Sequence, residues 1–577
     1  MRVITPLERI VVRVLLVAIL LNTAFLGWKY YEAHTIPIAK SGGTYTEALV
    51  GTPQYINPIL LQNNDTDRDL AKFVYSGLLR YNQDTTIAPD LAERYEVSED
   101  GKVYTFHLRA GVQWHDGTPF TADDVLFTIG RIQDPIIRSP LYISFKDIVV
   151  AKKDDATVTF TLPRAFAPFL DLATIGVLPK HLWQEIEAAN FGLAAMNLKP
   201  VGTGPWKYKA LQRESDGAIR SYTMDRNDQY YGSKAYLQKI VFKFYPDTDS
   251  AIQALKNRTV EGISFLPREL RDRLQKDKDL RYYTFNVPQN TAIFFNQSRN
   301  TDLRSKAVRQ ALALTIDRDG LVRDVLAGEG RVIHAPILPG FFGYHEKVKM
   351  YNLDRDRAKA LLEAAGYKQD EKGQWYREEQ VPAPVDETAK TTTTKTAKPK
   401  MVTEKKYLSI TLVTVNQSEH ASVAEAVKNG WLQFGVSATV ELVEPGQLKT
   451  DVIDARNYEA LLYGEIVGAD PDLYPFWHSS QSRAPGLNLA LFTNANADKL
   501  LEQGRQTTDP AKRLEIYQKF QDILAEEVPA VFLYNPSYNY VVASVVQGIT
   551  DRKQIVYPSD RFVDLSQWYE KTRRQWK

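Results

Sequence analysis

The chain has 577 residues, 44% of them apolar and 25% charged; this is ordinary globular composition, but too long for one hydrophobic core, so two or three domains are expected. Lys and Arg number 72 against 70 Asp and Glu, a formal net charge of +2, and no long basic tract appears, which argues against a nucleic-acid partner. There is no cysteine, so disulfides, Cys-ligated zinc, iron–sulfur clusters and thiol nucleophiles are excluded.

At the amino terminus Arg2, Arg9 and Arg13 precede the apolar run VLLVAILLNTAFLGW, Val14 to Trp28, and apolar character reaches back through Ile10, Val11 and Val12. A signal-peptide core and a short membrane anchor share this pattern. No small-x-small cleavage site precedes Ser41, and without cysteine a lipoprotein signal cannot operate. An uncleaved anchor through residues 10–28 is therefore preferred over a cleaved signal peptide, with the arginines cytoplasmic. An amphipathic core helix fits less well, because nothing polar occupies one face from Val14 to Leu21.

From Ser41 strand-like and helix-like patterns alternate, as in α/β domains. Lys102–Arg109 alternates apolar and polar residues after an Asp100-Gly101 turn, which predicts a hairpin strand. Asp302 to Ile316 stacks Val308, Leu312 and Ile316 at helical spacing, with Asp302 as a candidate cap. Pro382 to Lys406, rich in Pro, Thr, Lys and Glu, has almost nothing to bury and is expected to be a disordered loop inside a domain, since patterned sequence resumes at Tyr407. A helix is expected over Ala511 to Glu526, and Pro529 and Pro536 bracket the apolar run Ala530 to Tyr534.

Signatures of catalysis are missing. No two of the eight histidines stand three or four residues apart, and there is no nucleophile elbow, Walker loop or dinucleotide fingerprint. No cofactor and no metal site are implied. The stretch QWHDGTPFTADDV, Gln113 to Val125, is dense in titratable groups. It nevertheless reads as scaffolding: Asp116-Gly117 suits a turn, Thr121 and Asp124 suit a capping box, and a His115–Asp116 pair would point to opposite faces of a strand.

That stretch lies in PDLAERYEVSEDGKVYTFHLRAGVQWHDGTPFTADDVLFTIGRI, Pro89 to Ile132, which closely resembles the signature region of extracytoplasmic solute-binding proteins of the oligopeptide and dipeptide type, family 5, which serve ABC importers. Nine further blocks follow the family order, among them YINPIL, PVGTGPWKY, FFNQS, VRQALALTIDRDGLVRDVLAGEG and ADPDLYPFW, and together they span nearly all of Ser41 to Tyr540. The resemblance implies an α/β, two-lobed periplasmic-binding-protein-like fold (type II, cluster C), with an extra subdomain in lobe I and an amino-terminal transmembrane helix.

By that resemblance residues 1–40 are the signal or anchor, 41–60, 200–288 and 530–577 form lobe I, 61–199 the added subdomain, and 289–529 lobe II with the insertion 382–406. The ligand would lie between the lobes. One edge corresponds to Gln62, Asn63, Asn64 and Asp65. The other is the loop in YGEIVGADPDLY, where peptide binders of the family place an aspartate three residues ahead of the acidic-Pro pair to hold the ligand's ammonium; here that position is Val467, and the usual tryptophan three residues earlier is Gly464. Glu465 or Asp470 would take over, or the ligand has no free ammonium there; an ammonium buried without a carboxylate is costly. Asp470 and Asp472 also suit a turn around Pro471. Tyr463, Tyr474 and Trp477 are candidate pocket walls.

The implied function is that of an extracytoplasmic, membrane-tethered receptor, monomeric and without enzymatic activity, which captures peptides and passes them to an ABC permease and its ATPase subunits. It would stand on the outer face of a bacterial plasma membrane. The alternatives are a non-peptide solute such as an oligosaccharide or metal chelate, or peptide sensing or chaperoning without transport.

Overall fold

A computed structural model describes residues 5–61, 64–274, 277–382 and 401–577. The helix Pro6–His34 begins in a capping box: the Glu8 amide donates to Thr5 Oγ1 at 3.4 Å and the Thr5 amide to Glu8 Oε2 at 2.8 Å. Its segment Ile10–His34 is long and apolar enough to cross a membrane, and none of the apolar window is buried in the protein. A helix whose apolar window is left unburied is not a core element.

Two sheets organise the rest. A seven-stranded sheet takes strands from both ends of the chain, Thr44–Val50, Trp206–Arg213, Ile219–Arg226, Lys239–Tyr245, Gly262–Ile263, Leu280–Asn286 and Ser537–Ala543. A six-stranded sheet holds Gln289–Phe295, Arg331–Val332, Ser409–Val415, Ser437–Val443, Ala460–Ile466 and Ala530–Asn535. The last of these departs from the expected division after 529: Ala530–Asn535 pairs with Gln289–Phe295 in the second sheet, because its apolar side chains complete that lobe's core on both faces. The chain crosses between the sheets at Val287-Pro288 and returns at Pro536. Asn535 clamps the crossings together, its Nδ2 donating to Val287 O at 2.8 Å and Gln289 O at 2.7 Å.

A four-stranded antiparallel sheet, Ala92–Val97, Val103–Leu108, Thr157–Thr161 and Val149–Asp154, stands on the first lobe and shares one continuous core with it. Val103–Leu108 follows a turn in which Gly101 takes φ +67°, as the Asp-Gly pair predicts. The dense stretch is scaffolding here. The Thr121 amide donates to Asp124 Oδ2 at 3.0 Å, opening the helix Ala122–Ile132. His115 is pinned by the block PVGTGPWKY: the Gly202 amide donates to Nδ1 at 3.2 Å, so Nε2 carries the proton to Gly204 O at 3.0 Å. Burial lowers its pKa to about 4. A Cβ on Gly202 would stand 1.9 Å from Val74 O, which is why glycine occupies that position.

Two expectations are corrected. The helix placed over Asp302 to Ile316 is shorter, Lys306–Leu314 with Ser305 at its N-cap. Asp302 instead accepts from Tyr367 Oη at 2.8 Å and pairs with Arg377 at 3.1 Å, partners the helical spacing could not reveal. Of the segment expected to be a disordered loop, Met401–Tyr407 is a strand paired with Trp375–Pro382, where Tyr376 faces Tyr407 and Lys405 lies over the Tyr376 ring. Residues 383–400 lie outside the described residues.

Candidate functional site

The strand Ala460–Ile466 pairs antiparallel with Gln289–Phe295, which places Glu465 opposite Asn290 and Tyr463 opposite Ala292. Alternation along the strand turns Tyr463 and Glu465 to one face. That face packs on Trp477, Phe294, Phe532 and Val467, and the cluster continues into Tyr81 and Val556 of the first lobe. Glu465 and Asn290 therefore lie beside the 287–288 crossing, where the lobes meet.

Glu465 is only 5% exposed, and neither carboxylate oxygen has a hydrogen-bond partner among the described residues. Burial raises its pKa well above that of an ordinary glutamate, with no cation to oppose the shift. Asn290, fully buried, likewise leaves both amide atoms unpartnered, as does Trp477 its indole N–H. Buried polar groups are normally satisfied, and an ionised carboxylate without a counter-charge is costly. Such a cluster can take a cation from outside the chain and a main-chain donor and acceptor beside it.

The two aspartates of the neighbouring loop are already held. Asp470 Oδ2 pairs with Arg513 Nη1 at 2.6 Å, and Asp472 accepts from Arg505 Nε at 2.8 Å. Arg505 also stacks 4.0 Å over Tyr474. Asp470 is thus neutralised inside the lobe, leaving Glu465 as the free carboxylate of the pair proposed from sequence. Val467 is buried; its amide donates to Pro288 O at 2.8 Å, so it ties the loop to the crossing. Trp477 is fully buried, its ring centroid 6.1 Å from Phe294 and 5.9 Å from Phe532. Tyr463 is half-buried on the Glu465 face.

On the opposite edge, Asn64 is the N-cap of the helix Asp65–Val74, accepting from the Thr66 amide at 3.0 Å, and Asp65 pairs with Arg68 at 3.0 Å. Gln62 and Asn63 lie outside the described residues. A cavity of about 630 Å³ opens nearby, lined by Arg68, Lys72, Tyr81, Trp206, Tyr230 and Phe562 among others, with no wall from the described residues of 289–535. Tyr81 joins this cavity to the Glu465 cluster. Its hydroxyl donates to Asp171 Oδ1 at 2.5 Å, and Asp171 also faces Asp470 and Arg513 across the lobes.

Asn290, Tyr81 and Asp171 were not singled out from sequence. Asn290 had a signal: Gln289-Asn290-Thr291 is polar sequence opening the apolar strand that ends in Phe294-Phe295. Tyr81 and Asp171 had none, since only the fold brings them together.

Residues 86–485 match the family described as bacterial extracellular solute-binding proteins, family 5, middle region. The chain belongs to that family. It is 26% identical over 541 residues to the oligopeptide-binding protein AppA of Bacillus subtilis (strain 168), covering 92% of each chain. To the dipeptide-binding protein of Escherichia coli (strain K12) it is 27% identical over 539 residues, covering 89% of this chain and 94% of that one. Among solved structures it is similar to NikZ from Campylobacter jejuni in complex with Ni(L-His), with a TM-score of 0.71 and 25% identity over 91% of this chain and 99% of that one. The two-lobed solute-binding architecture is thus that of the family, with an amino-terminal apolar helix added to the lobes.

Proposed function

We propose that this chain is a membrane-tethered receptor on the outer face of a bacterial plasma membrane, which closes on peptides and delivers them to an ABC permease driven by ATPase subunits. It acts as a monomer anchored by the helix Pro6–His34. Lobe I comprises 41–60, 200–288 and 536–577, the added subdomain 61–199, and lobe II 289–535. The observation that carries the peptide reading is Glu465, a buried carboxylate with no partner beside the interlobe crossing. A peptide's α-ammonium supplies the missing cation, and Asn290 supplies a donor and an acceptor for its first peptide unit. Glu465 would then serve two residues ahead of Val467, where relatives that bind peptides carry their aspartate. The names of the relatives, oligopeptide- and dipeptide-binding, favour the same ligand class.

A non-peptide solute is the second reading. It is favoured by Val467, and by a relative of the same fold crystallised with Ni(L-His). Native mass spectrometry of the gently purified full chain, followed by denaturation to release what it carries, separates the two. A ladder of short peptides of mixed sequence supports peptide capture. A single non-peptide species would overturn it.

A further inference from the structure

The residues after the membrane-crossing helix do not run freely to the first lobe. Thr35–Lys40 pairs antiparallel with the last strand, Lys571–Trp576, from Thr35 opposite Trp576 to Lys40 opposite Lys571. The ribbon is fixed to the end of the helix. The Lys577 amide donates to His34 O at 2.9 Å, Arg574 Nη2 to Glu32 O at 2.9 Å, and Lys577 Nζ to Ala33 O at 2.7 Å. Trp576 stands edge-on to Tyr31 with centroids 5.6 Å apart.

Core packing does not account for this element. All six residues of Lys571–Trp576 are exposed, and among the described residues the ribbon pairs with no other strand. Its sequence, with the residue that follows, is KTRRQWK, four cations and no acidic side chain, with Glu570 just before it. Arg574 and Trp576 face the helix, so alternation turns Lys571 and Arg573 to the other side. Lys571 lies near the Glu570 carboxyl, while Arg573 and Lys577 form no ion pair among the described residues. Trp28, Tyr30, Tyr31 and Trp576 gather at the end of the helix, the residue types that settle at a membrane–water boundary.

We infer that this ribbon is a collar that binds the headgroups of anionic phospholipids around the helix; the inference rests on the anchored reading above. The aromatic rings fix the depth of the helix, and the cations just outside it meet the negative headgroup layer, where each is attracted within a Debye length. Because the ribbon is hydrogen-bonded to the helix, headgroup binding also fixes how the receptor stands on the membrane.

The test uses the full chain. Intact mass after mild detergent extraction first establishes whether the helix is retained. The protein is then transferred to bilayer discs of phosphatidylcholine mixed with phosphatidylglycerol, and the phosphatidylglycerol that stays bound on re-extraction is counted by native mass spectrometry. The wild type should enrich phosphatidylglycerol, and a variant with Lys571→Gln, Arg573→Gln and Lys577→Gln should lose about fivefold in enrichment per charge removed. High salt should abolish the enrichment, while Arg573→Lys should preserve it. Equal retention in wild type and triple variant would overturn the collar. If the helix is absent from the intact mass, the anchored reading fails separately. The collar is then judged by sedimentation with phosphatidylglycerol vesicles, where a lack of salt-sensitive binding overturns it.

Discussion

At Glu465 a carboxyl group is buried with no cation beside it among the described residues, while Asp470 and Asp472, close by, are each matched to an arginine. The contrast favours Glu465 as the acid of the proposed ligand site. Glu465→Gln should leave the fold intact, because the amide fits the same space and carries no charge to strand. It should cost peptides with a free ammonium about 2–5 kcal/mol of affinity, the cost of leaving one partner of a buried charge pair alone. N-acetylated peptides should bind the two proteins alike. Titration calorimetry with both peptide forms reads this directly; an equal loss for both would show that Glu465 does not hold the ammonium. The pH dependence of the unliganded protein follows the same residue. Burial raises the folded-state pKa above the unfolded value, so the folded state binds more protons between the two. Wild-type stability relative to Glu465→Gln should therefore fall as pH rises above the ordinary carboxylate range, and level off above the folded pKa.

Among the elements of the first lobe, the strand Thr44–Val50, the helix Asp65–Val74 and the turn Pro558–Phe562 are joined by one buried cation. Arg561, fully buried, donates through Nη2 to Glu47 Oε1 at 2.7 Å and through Nη1 to Asp69 Oδ1 at 2.9 Å, and Tyr540 Oη adds a donor to Glu47 at 2.8 Å. Arg561→Met should cost about 3–5 kcal/mol, since two carboxylates are left without their cation. The deficit should shrink on acidification, because protonated carboxylates need no counter-charge; burial already lifts Asp69 to about 6 despite Arg561. Denaturant midpoints of wild type and variant at neutral pH and at about pH 5 check this, and a deficit independent of pH would mean that lost packing dominates. None of this network was legible in sequence, because Glu47, Asp69 and Arg561 are far apart along the chain and each looks like a surface charge. Local elements were legible: the strand Val103–Leu108, the capping box at Thr121 and the helix Pro510–Glu527 each carry their own turn, cap or periodicity. Met401–Tyr407 was not, since its polar side chains pair across a strand whose partner precedes the insertion. The family blocks pointed to the architecture, but they do not show which residue of this chain would hold a ligand's ammonium, since the candidate position is Val467.

For the molecule as a whole, the proposed capture of a ligand requires the lobes to close on it, and in this structure the lobes touch directly. The Ala167 amide donates to Arg505 O at 2.7 Å, and Gln554 Nε2 donates to Pro339 O at 2.8 Å. Asp171 sits in the same seam, under Tyr81 and facing Asp470 and Arg513 of the second lobe. Burial first, with Asp470 adding to it against the hydrogen bond from Tyr81 and the charge of Arg513, raises the Asp171 pKa to about 7. Opening the lobes returns Asp171 to water and to its ordinary pKa of about 4. Closure therefore takes up protons between these values: above about pH 7 the closed form carries the cost of a half-buried charge, and that cost is lost as pH falls toward about pH 4. Acidification through this window should shift the unliganded receptor toward the closed form. The shift should appear as a smaller radius of gyration in solution scattering. Asp171→Asn, neutral at every pH, should hold the closed form across the window and flatten the response, while the ligand-saturated scattering curve stays the same for both proteins. An unliganded wild type whose scattering does not change between neutral and mildly acidic buffer would remove Asp171 from the closing equilibrium and leave closure to ligand contacts and to the two crossings clamped by Asn535.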